Sequence, residues 1–198
     1  MNRFPDYERA TNAAYSELFN YHGRYPKIDI AGILSDDKKI IVKSYSQAAQ
    51  YLGVSHNEFT YEYASSEYGY TVKDQKKGKC VIYYNNLKSE ATIRFTLAHE
   101  LGHIRLGHEE EDSVSDKEAN CFARNILCPV PVVDEFGIQT QEDYMDCFGI
   151  SEPMANVAVD KYKSDYYYIS CGNYQQVGDL AYCYLTGQTL AEIYGYGY

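Results

Sequence analysis

The segment His99-Glu100-Leu101-Gly102-His103 constrains this chain of 198 residues more than any other feature, and it lies in an apolar run with helical spacing. Two histidines four residues apart on a helix are about 40° apart around its axis and one turn apart along it, so both imidazoles can meet one ion. Zinc binds neutral imidazole nitrogens, and a catalytic zinc site keeps one position open for water. Three of the five histidines of the chain fall within ten residues here. The segment therefore predicts a catalytic zinc site rather than a chance pair of histidines on a structural helix.

Glu100 lies beside the histidine pair, where its carboxylate can reach an activated water without being a metal ligand. A carboxylate in this position can take a proton from water that zinc has acidified, and can return it to the leaving amine of a peptide. The residues therefore predict a hydrolytic zinc enzyme with Glu100 as the general base. A purely structural helical protein is the remaining alternative, and metal analysis of the purified chain separates the two.

A zinc site of this kind needs a third protein ligand. A third histidine in the extended zincin pattern requires Gly three residues and His six residues beyond the second histidine. Gly107 and His108 fall four and five residues beyond His103, so this register does not match. A carboxylate from the next helix is favoured instead, and the candidates that remain open are His108, Asp112, Asp116 and Glu118.

Three segments in this part of the chain carry a family likeness. They are Phe95–His103, Glu118–Ala123 and Ile126–Pro129. In this order they resemble the ImmA/IrrE family of metallopeptidases, and the resemblance to this family is specific over Tyr83–Pro131. The family is similar to short gluzincins. The resemblance implies an α+β fold with a zincin-like core, in which an active-site helix is joined by a small β-sheet and additional helices.

The resemblance also implies roles for single residues. His99, His103 and Glu118, the glutamate of the Glu-Ala-Asn segment, are expected to bind Zn²⁺, and Glu100 is expected to be the catalytic base. Family members of mobile elements or phages cut a helix-turn-helix transcriptional repressor, so we expect a limited, site-specific endopeptidase with such a repressor as its protein substrate. The alternative is a zinc-containing regulatory protein that binds a transcription factor or antitoxin-like partner without cleaving it. The presence of Glu100 argues against that alternative.

Composition narrows the partners and the compartment. The chain has 18 Lys and Arg against 28 Asp and Glu, a formal net charge of -10, which argues against direct binding of nucleic acid and favours a basic protein partner.

The segment Met1–Arg9 lacks the apolar run of a secretory signal, and no apolar run reaches the roughly 20 residues that span a bilayer. We therefore expect a cytoplasmic protein with no membrane contact. Six dispersed cysteines without a Cys-x-x-Cys pair are typical of reduced structural thiols.

Hydrophobic spacing and helix-breaking residues predict the order of the elements. Helices are expected over 7–20, 46–52, 115–127 and 152–162, and a long helix is expected to begin at Ser89 or Thr92 and to end at Gly107. A β-hairpin is expected over 68–72 and 79–84, and short strands are expected near Tyr166 and Ala181. We expect the strand Lys79–Tyr84 to be an exposed edge that pairs with an extended substrate. Two stretches, Tyr45–Ser55 and Phe148–Ala155, have the outline of a helix-turn-helix, and the acidic charge predicts that they pack rather than contact DNA.

These elements divide the chain into four expected regions. They are an N-terminal helical region at 1–60, the zincin-like core at 61–132, a helical region with a helix-turn-helix outline at 133–165, and a Tyr-rich tail at 166–198. The tail contains Cys171 and Cys183, which resemble remnants of the cysteine knuckles of relatives and are too few for a second zinc site. Four residues remain open as hydrogen-bond donors to the oxyanion that forms during peptide hydrolysis: Tyr83, Tyr84, Tyr144 and His108.

Overall fold

The computed structural model describes residues 4–19, 21, 23–74, 76, 78–109 and 112–195. Its elements, in chain order, are α1 Tyr7–Leu18, α2 Ile30–Asp36, β1 Ile40–Ser44, α3 Tyr45–Leu52, α4 His56–Glu58 with a π-helical turn Phe59–Tyr63, β2 Gly69–Asp74, β3 Lys79–Tyr84, α5 Glu90–Arg105, α6 Ser113–Leu127, α7 Val130–Glu135, α8 Gln141–Phe148, α9 Glu152–Tyr168, α10 Cys171–Thr186 and α11 Leu190–Ile193. The predicted α+β class is confirmed. Within the described ranges, no helix has the length and apolar character needed to cross a membrane.

The sheet has three strands in the order β1-β3-β2. β2 and β3 form the predicted antiparallel hairpin, and β1 runs parallel to β3 with Ile40 opposite Cys80. The prediction that β3 is an exposed edge is wrong, because β1 pairs with its second side. β1 comes from the region expected to be helical, where the short apolar run Ile40–Val42 cannot distinguish a strand from a helix. Among the described strands, β1 and β2 are the edges.

The helices α5 and α6 begin where short polar side chains cap them. Ser89 accepts a hydrogen bond from the backbone N–H of Thr92 at the start of α5, and Asp112 accepts from the N–H groups of Val114 and Ser115 at the start of α6. These caps satisfy backbone donors that have no partner within the helix. Cap chemistry in the sequence therefore fixes where both helices of the candidate site begin.

The two helices pack closely because small residues face each other between them. A Cβ atom at Gly102 would lie only 3.2 Å from the Cα atom of Ala119 and 3.1 Å from the Phe122 ring. Ala119, Phe122 and Ala123 are fully buried. The glycine between the two histidines thus brings the first turns of α6 against the histidine-bearing face of α5.

The C-terminal part is helical rather than stranded. The strands predicted near Tyr166 and Ala181 are wrong: α9 continues to Tyr168, and Ala181 lies in α10. Val177, Gly178 and Ala181 form the buried stripe of α10 at helical spacing, and α10 packs against α7. Tertiary packing here overrides the β propensity of the tyrosines.

The two stretches with a helix-turn-helix outline contribute to packing. In the first stretch, Tyr45, Ala48 and Ala49 belong to a small second core beside the sheet. Phe148 and Met154 belong to the main core, and Gly149 between α8 and α9 has a φ of 62° that favours glycine. Their inner faces are therefore occupied by the fold itself.

Candidate metal centre

α5 carries the two histidines of the predicted site, and their imidazoles converge. The Nε2 atoms of His99 and His103 lie 2.9 Å apart. The Nδ1 atom of His99 lies 2.9 Å from the side-chain oxygen of Asn120 on α6, and the Nδ1 atom of His103 lies 3.0 Å from the Nδ1 atom of His108. Each ring therefore uses its Nδ1 atom for a hydrogen bond and directs its Nε2 atom toward the other ring.

The hydrogen-bond partners assign the tautomers of these rings. The amide oxygen of Asn120 only accepts, so His99 carries its proton on Nδ1. His108 Nε2 faces the carboxylate of Glu118 at 2.8 Å and therefore carries a proton, and in the neutral imidazole this makes its Nδ1 atom the acceptor for the Nδ1–H of His103. Both converging Nε2 atoms then present lone pairs to one point. Two lone pairs 2.9 Å apart repel each other unless a cation lies between them, so this donor set fits a metal ion.

Asp116, near the start of α6, completes a group of three metal-binding side chains. Its Oδ1 atom lies 3.6 Å from His103 Nε2, and ligand atoms of His99, His103 and Asp116 all lie within 4.8 Å of one another. Two atoms that are each about 2.1 Å from one tetrahedral ion lie about 3.4 Å apart. The observed separations of 2.9 and 3.6 Å bracket this value. The group fits Zn²⁺ with His99, His103 and Asp116 as ligands.

Burial keeps both histidines neutral. Loss of solvent, reinforced by the neighbouring His99 and His108 rings, lowers the pKa of His103 to about 3. Loss of solvent also lowers the pKa of His99 below its usual range, against the opposing effects of Asn120 and Asp116. Metal ions bind the neutral imidazole, so neither ring has to lose a proton before it binds at neutral pH.

Glu100 lies on α5 between the histidines and is 4% exposed. The hydroxyl of Thr71 on the edge strand β2 donates a 2.7 Å hydrogen bond to its Oε2 atom. Glu100 also lines a cleft of about 650 Å³ together with His99 and Asp116. The sheet edge therefore orients the predicted base at the floor of the same cleft as the metal-binding group.

Glu118, expected from the resemblance to be the third ligand, does not join this group. Its Oε1 atom accepts a 2.8 Å hydrogen bond from the backbone N–H of Asp6, and its Oε2 atom faces His108. Asp116 and Glu118 are two residues apart on one helix, about 200° around its axis, so they face different directions. Asp116 and Asn120 are four residues apart and lie on one face. That spacing could have identified Asn120 from the sequence and favoured Asp116 among the candidates for the third ligand.

The lining of the cleft also includes apolar side chains, which we call its apolar wall. Phe95 of α5 and Pro153, Met154 and Val157 of α9 line it, and Tyr68 lies at the end next to β2. Of the tyrosines weighed from the sequence as oxyanion donors, Tyr144 instead packs against Phe148 in the core. The cleft thus combines the metal-binding group with apolar side chains that can contact a large side chain of a ligand.

The cysteines resembling knuckle remnants lie far from each other on α10. Cys171 begins this helix and Cys183 lies in its last turn, about 18 Å apart at 1.5 Å per residue. Their thiols cannot share one ion while this helix is intact.

The chain matches a known protein family. A family model described as Peptidase_M78, IrrE N-terminal-like domain, matches residues 49–159, more than half of the chain. The matched range contains β2, β3, α5 and α6, and with them the whole group His99, His103 and Asp116. No curated protein matches the chain.

Proposed function

The chain belongs to the IrrE N-terminal-like family of metallopeptidases, Peptidase_M78, and we propose that it is a zinc endopeptidase whose metal ligands are His99, His103 and Asp116. The fold is the zincin-like α+β arrangement that the sequence predicts. The single observation that carries this proposal is the convergence of two Nε2 lone pairs and one carboxylate beside the buried Glu100.

The residues of the chain divide the chemistry between them. Zn²⁺ at this site supplies a Lewis acid that polarises a peptide carbonyl and acidifies water. Glu100 accepts the proton of the attacking water and delivers it to the leaving amine. Thr71 holds one oxygen of the Glu100 carboxylate, which restricts the rotation of the base toward the cleft. Asn120 and His108 hold the imidazoles through their Nδ1 atoms.

An extended peptide fits the cleft between β2 and α9. Gly69 begins β2 and lines the cleft beside Tyr68, and β2 is an edge among the described strands. Backbone pairing along such an edge accepts many sequences, so selectivity comes from side-chain contacts and docking. Met154 and Val157 on the apolar wall favour a large apolar side chain of the substrate next to the cleavage site.

The finer proposal is that the substrate is a helix-turn-helix transcriptional repressor of a mobile element or phage. The family resemblance supports it, and the formal net charge of -10 favours a basic partner of this kind over direct binding of DNA. Charge-assisted docking of such a repressor slows as salt rises, because exposed charges are screened over about 8 Å at physiological ionic strength.

Co-expression with a helix-turn-helix repressor as the candidate substrate tests the function. Intact-mass measurement of both proteins is expected to show the repressor cut at one position by the wild type. Glu100→Gln is expected to keep zinc and the fold but leave the repressor whole, since it removes only the proton acceptor. Cleavage by Glu100→Gln at an undiminished rate contradicts the mechanism. Stable binding of an intact repressor by the wild type supports the non-cleaving alternative instead.

A further inference from the structure

We propose that Glu118 and His108 form a buried positioning pair that fixes His103 as a metal ligand. This inference rests on the proposed metal site, but it assigns Glu118 to a role different from ligation. His108 and Glu118 are therefore positioning residues, which act on the metal only through His103.

Three consecutive polar contacts make up the pair and its connections. The Nδ1 atoms of His103 and His108 are 3.0 Å apart, His108 Nε2 and Glu118 Oε2 are 2.8 Å apart, and the backbone N–H of Asp6 donates to Glu118 Oε1 over 2.8 Å. His103, His108 and Glu118 are 4%, 7% and 1% exposed. Water therefore cannot readily replace any of these partners, and each group depends on the next for its hydrogen bond.

The chemistry of the pair sets the state of His103. The carboxylate of Glu118 can only accept, so it holds the proton of His108 on Nε2. His108 Nδ1 is then an acceptor, which holds the proton of His103 on Nδ1 and leaves its Nε2 lone pair for the metal. A hydrogen bond from a ligand histidine to an acceptor also increases the basicity of the ligand nitrogen. His99 obtains the same effect directly from Asn120.

The engagement of both oxygens argues against ligation by Glu118. A carboxylate that turned toward the metal would lose its contacts with Asp6 and His108, and would leave a buried N–H group without a partner. Asp116 is 52% exposed at its side chain and lies 3.6 Å from His103 Nε2, so it can bind an ion without such a loss. Through its hydrogen bond with the backbone N–H of Asp6, Glu118 also connects the metal site to the backbone just before α1.

Metal titration of the full chain separates the positioning role from ligation. Cobalt(II) is the probe, since its visible absorption reports the ligand set, and Zn²⁺ competition against a chelator gives the affinity. Glu118→Gln is expected to lower zinc affinity by about 10- to 100-fold, as for other outer partners of metal ligands, while the cobalt spectrum stays that of the wild type. Asp116→Asn is expected to change the cobalt spectrum. Glu17→Gln is the matched control, because Glu17 pairs with Arg105 outside the site and its loss should leave the zinc affinity unchanged.

A second pair of variants keeps the test decisive if Glu118→Gln fails to fold. His108→Gln retains an acceptor and a donor and is expected to keep most of the zinc affinity, whereas His108→Leu removes both and is expected to lose 10- to 100-fold. Equal affinity of these two variants overturns the proposal, as does a changed cobalt spectrum in Glu118→Gln. Absence of metal binding by the wild type instead refutes the proposed metal site itself.

Discussion

Asp165→Asn is expected to destabilise the fold strongly, because it breaks a buried ion pair that joins the two helices flanking the cleft. Arg124 of α6 donates to both carboxylate oxygens of Asp165 of α9, through Nε at 2.5 Å and Nη2 at 2.7 Å. The side chains of this pair are only 12% and 5% exposed. The asparagine variant leaves a buried guanidinium without its counter-charge.

The magnitude follows from this geometry. Loss of one partner of a buried ion pair costs about 3–5 kcal/mol, since the remaining charge stays desolvated. For a domain of this size about 1 kcal/mol shifts the unfolding midpoint by about 2–4 °C, so the midpoint is expected to fall by about 6–20 °C. Thermal unfolding followed by circular dichroism, with the zinc content measured in parallel, gives both quantities.

Two further variants define the outcome. Asp160→Asn is the matched control on the same helix, because Asp160 pairs with Lys161 on the exposed surface and its midpoint should equal that of the wild type. The double variant Arg124→Met with Asp165→Leu is expected to recover most of the lost stability, because it removes both charges and fills the space with apolar groups. A midpoint for Asp165→Asn within about 2 °C of the wild type would refute this reasoning.

Two other predictions follow from single contacts. Thr71→Val removes the 2.7 Å hydrogen bond to Glu100. Since such a bond to a charged group contributes about 1.5–3 kcal/mol, kcat/KM for peptide cleavage should fall about 10- to 150-fold. The control Thr60→Val loses only a bond to a backbone carbonyl and should cleave normally. Alkylation of the native protein at pH 8, followed by peptide mass spectrometry, should label the exposed Cys171 first and leave Cys121 and Cys128 unlabelled until unfolding, because burial raises the pKa of both thiols.

The elements with strong local signals could be predicted from the sequence. Ser89 and the apolar spacing define α5, and Gly53 ends α3 in the left-handed conformation. Helical geometry alone predicts His99 and His103 as a metal-binding pair. The convergence of their Nε2 atoms agrees with that expectation.

Features that depend on distant parts of the chain could not be predicted in the same way. The choice between Asp116 and Glu118 depends on which face of α6 meets α5, and the segment containing Asp6 lies more than 100 residues away. The edge of the sheet depends on β1, whose parallel pairing with β3 has no local signal. The helix α10 depends on its packing against α7, which overrides the β propensity of its tyrosines.

Elemental analysis of zinc in the wild type and in His99→Ala tests the central claim most directly. Protein purified without any chelator is expected to contain about one zinc per chain, since the proposed ligands, two imidazoles and one carboxylate, make up one site. His99→Ala is expected to keep its fold and contain almost none, because one converging Nε2 atom is gone. A wild-type content near zero, or full occupancy in His99→Ala, would contradict the assignment of the metal centre.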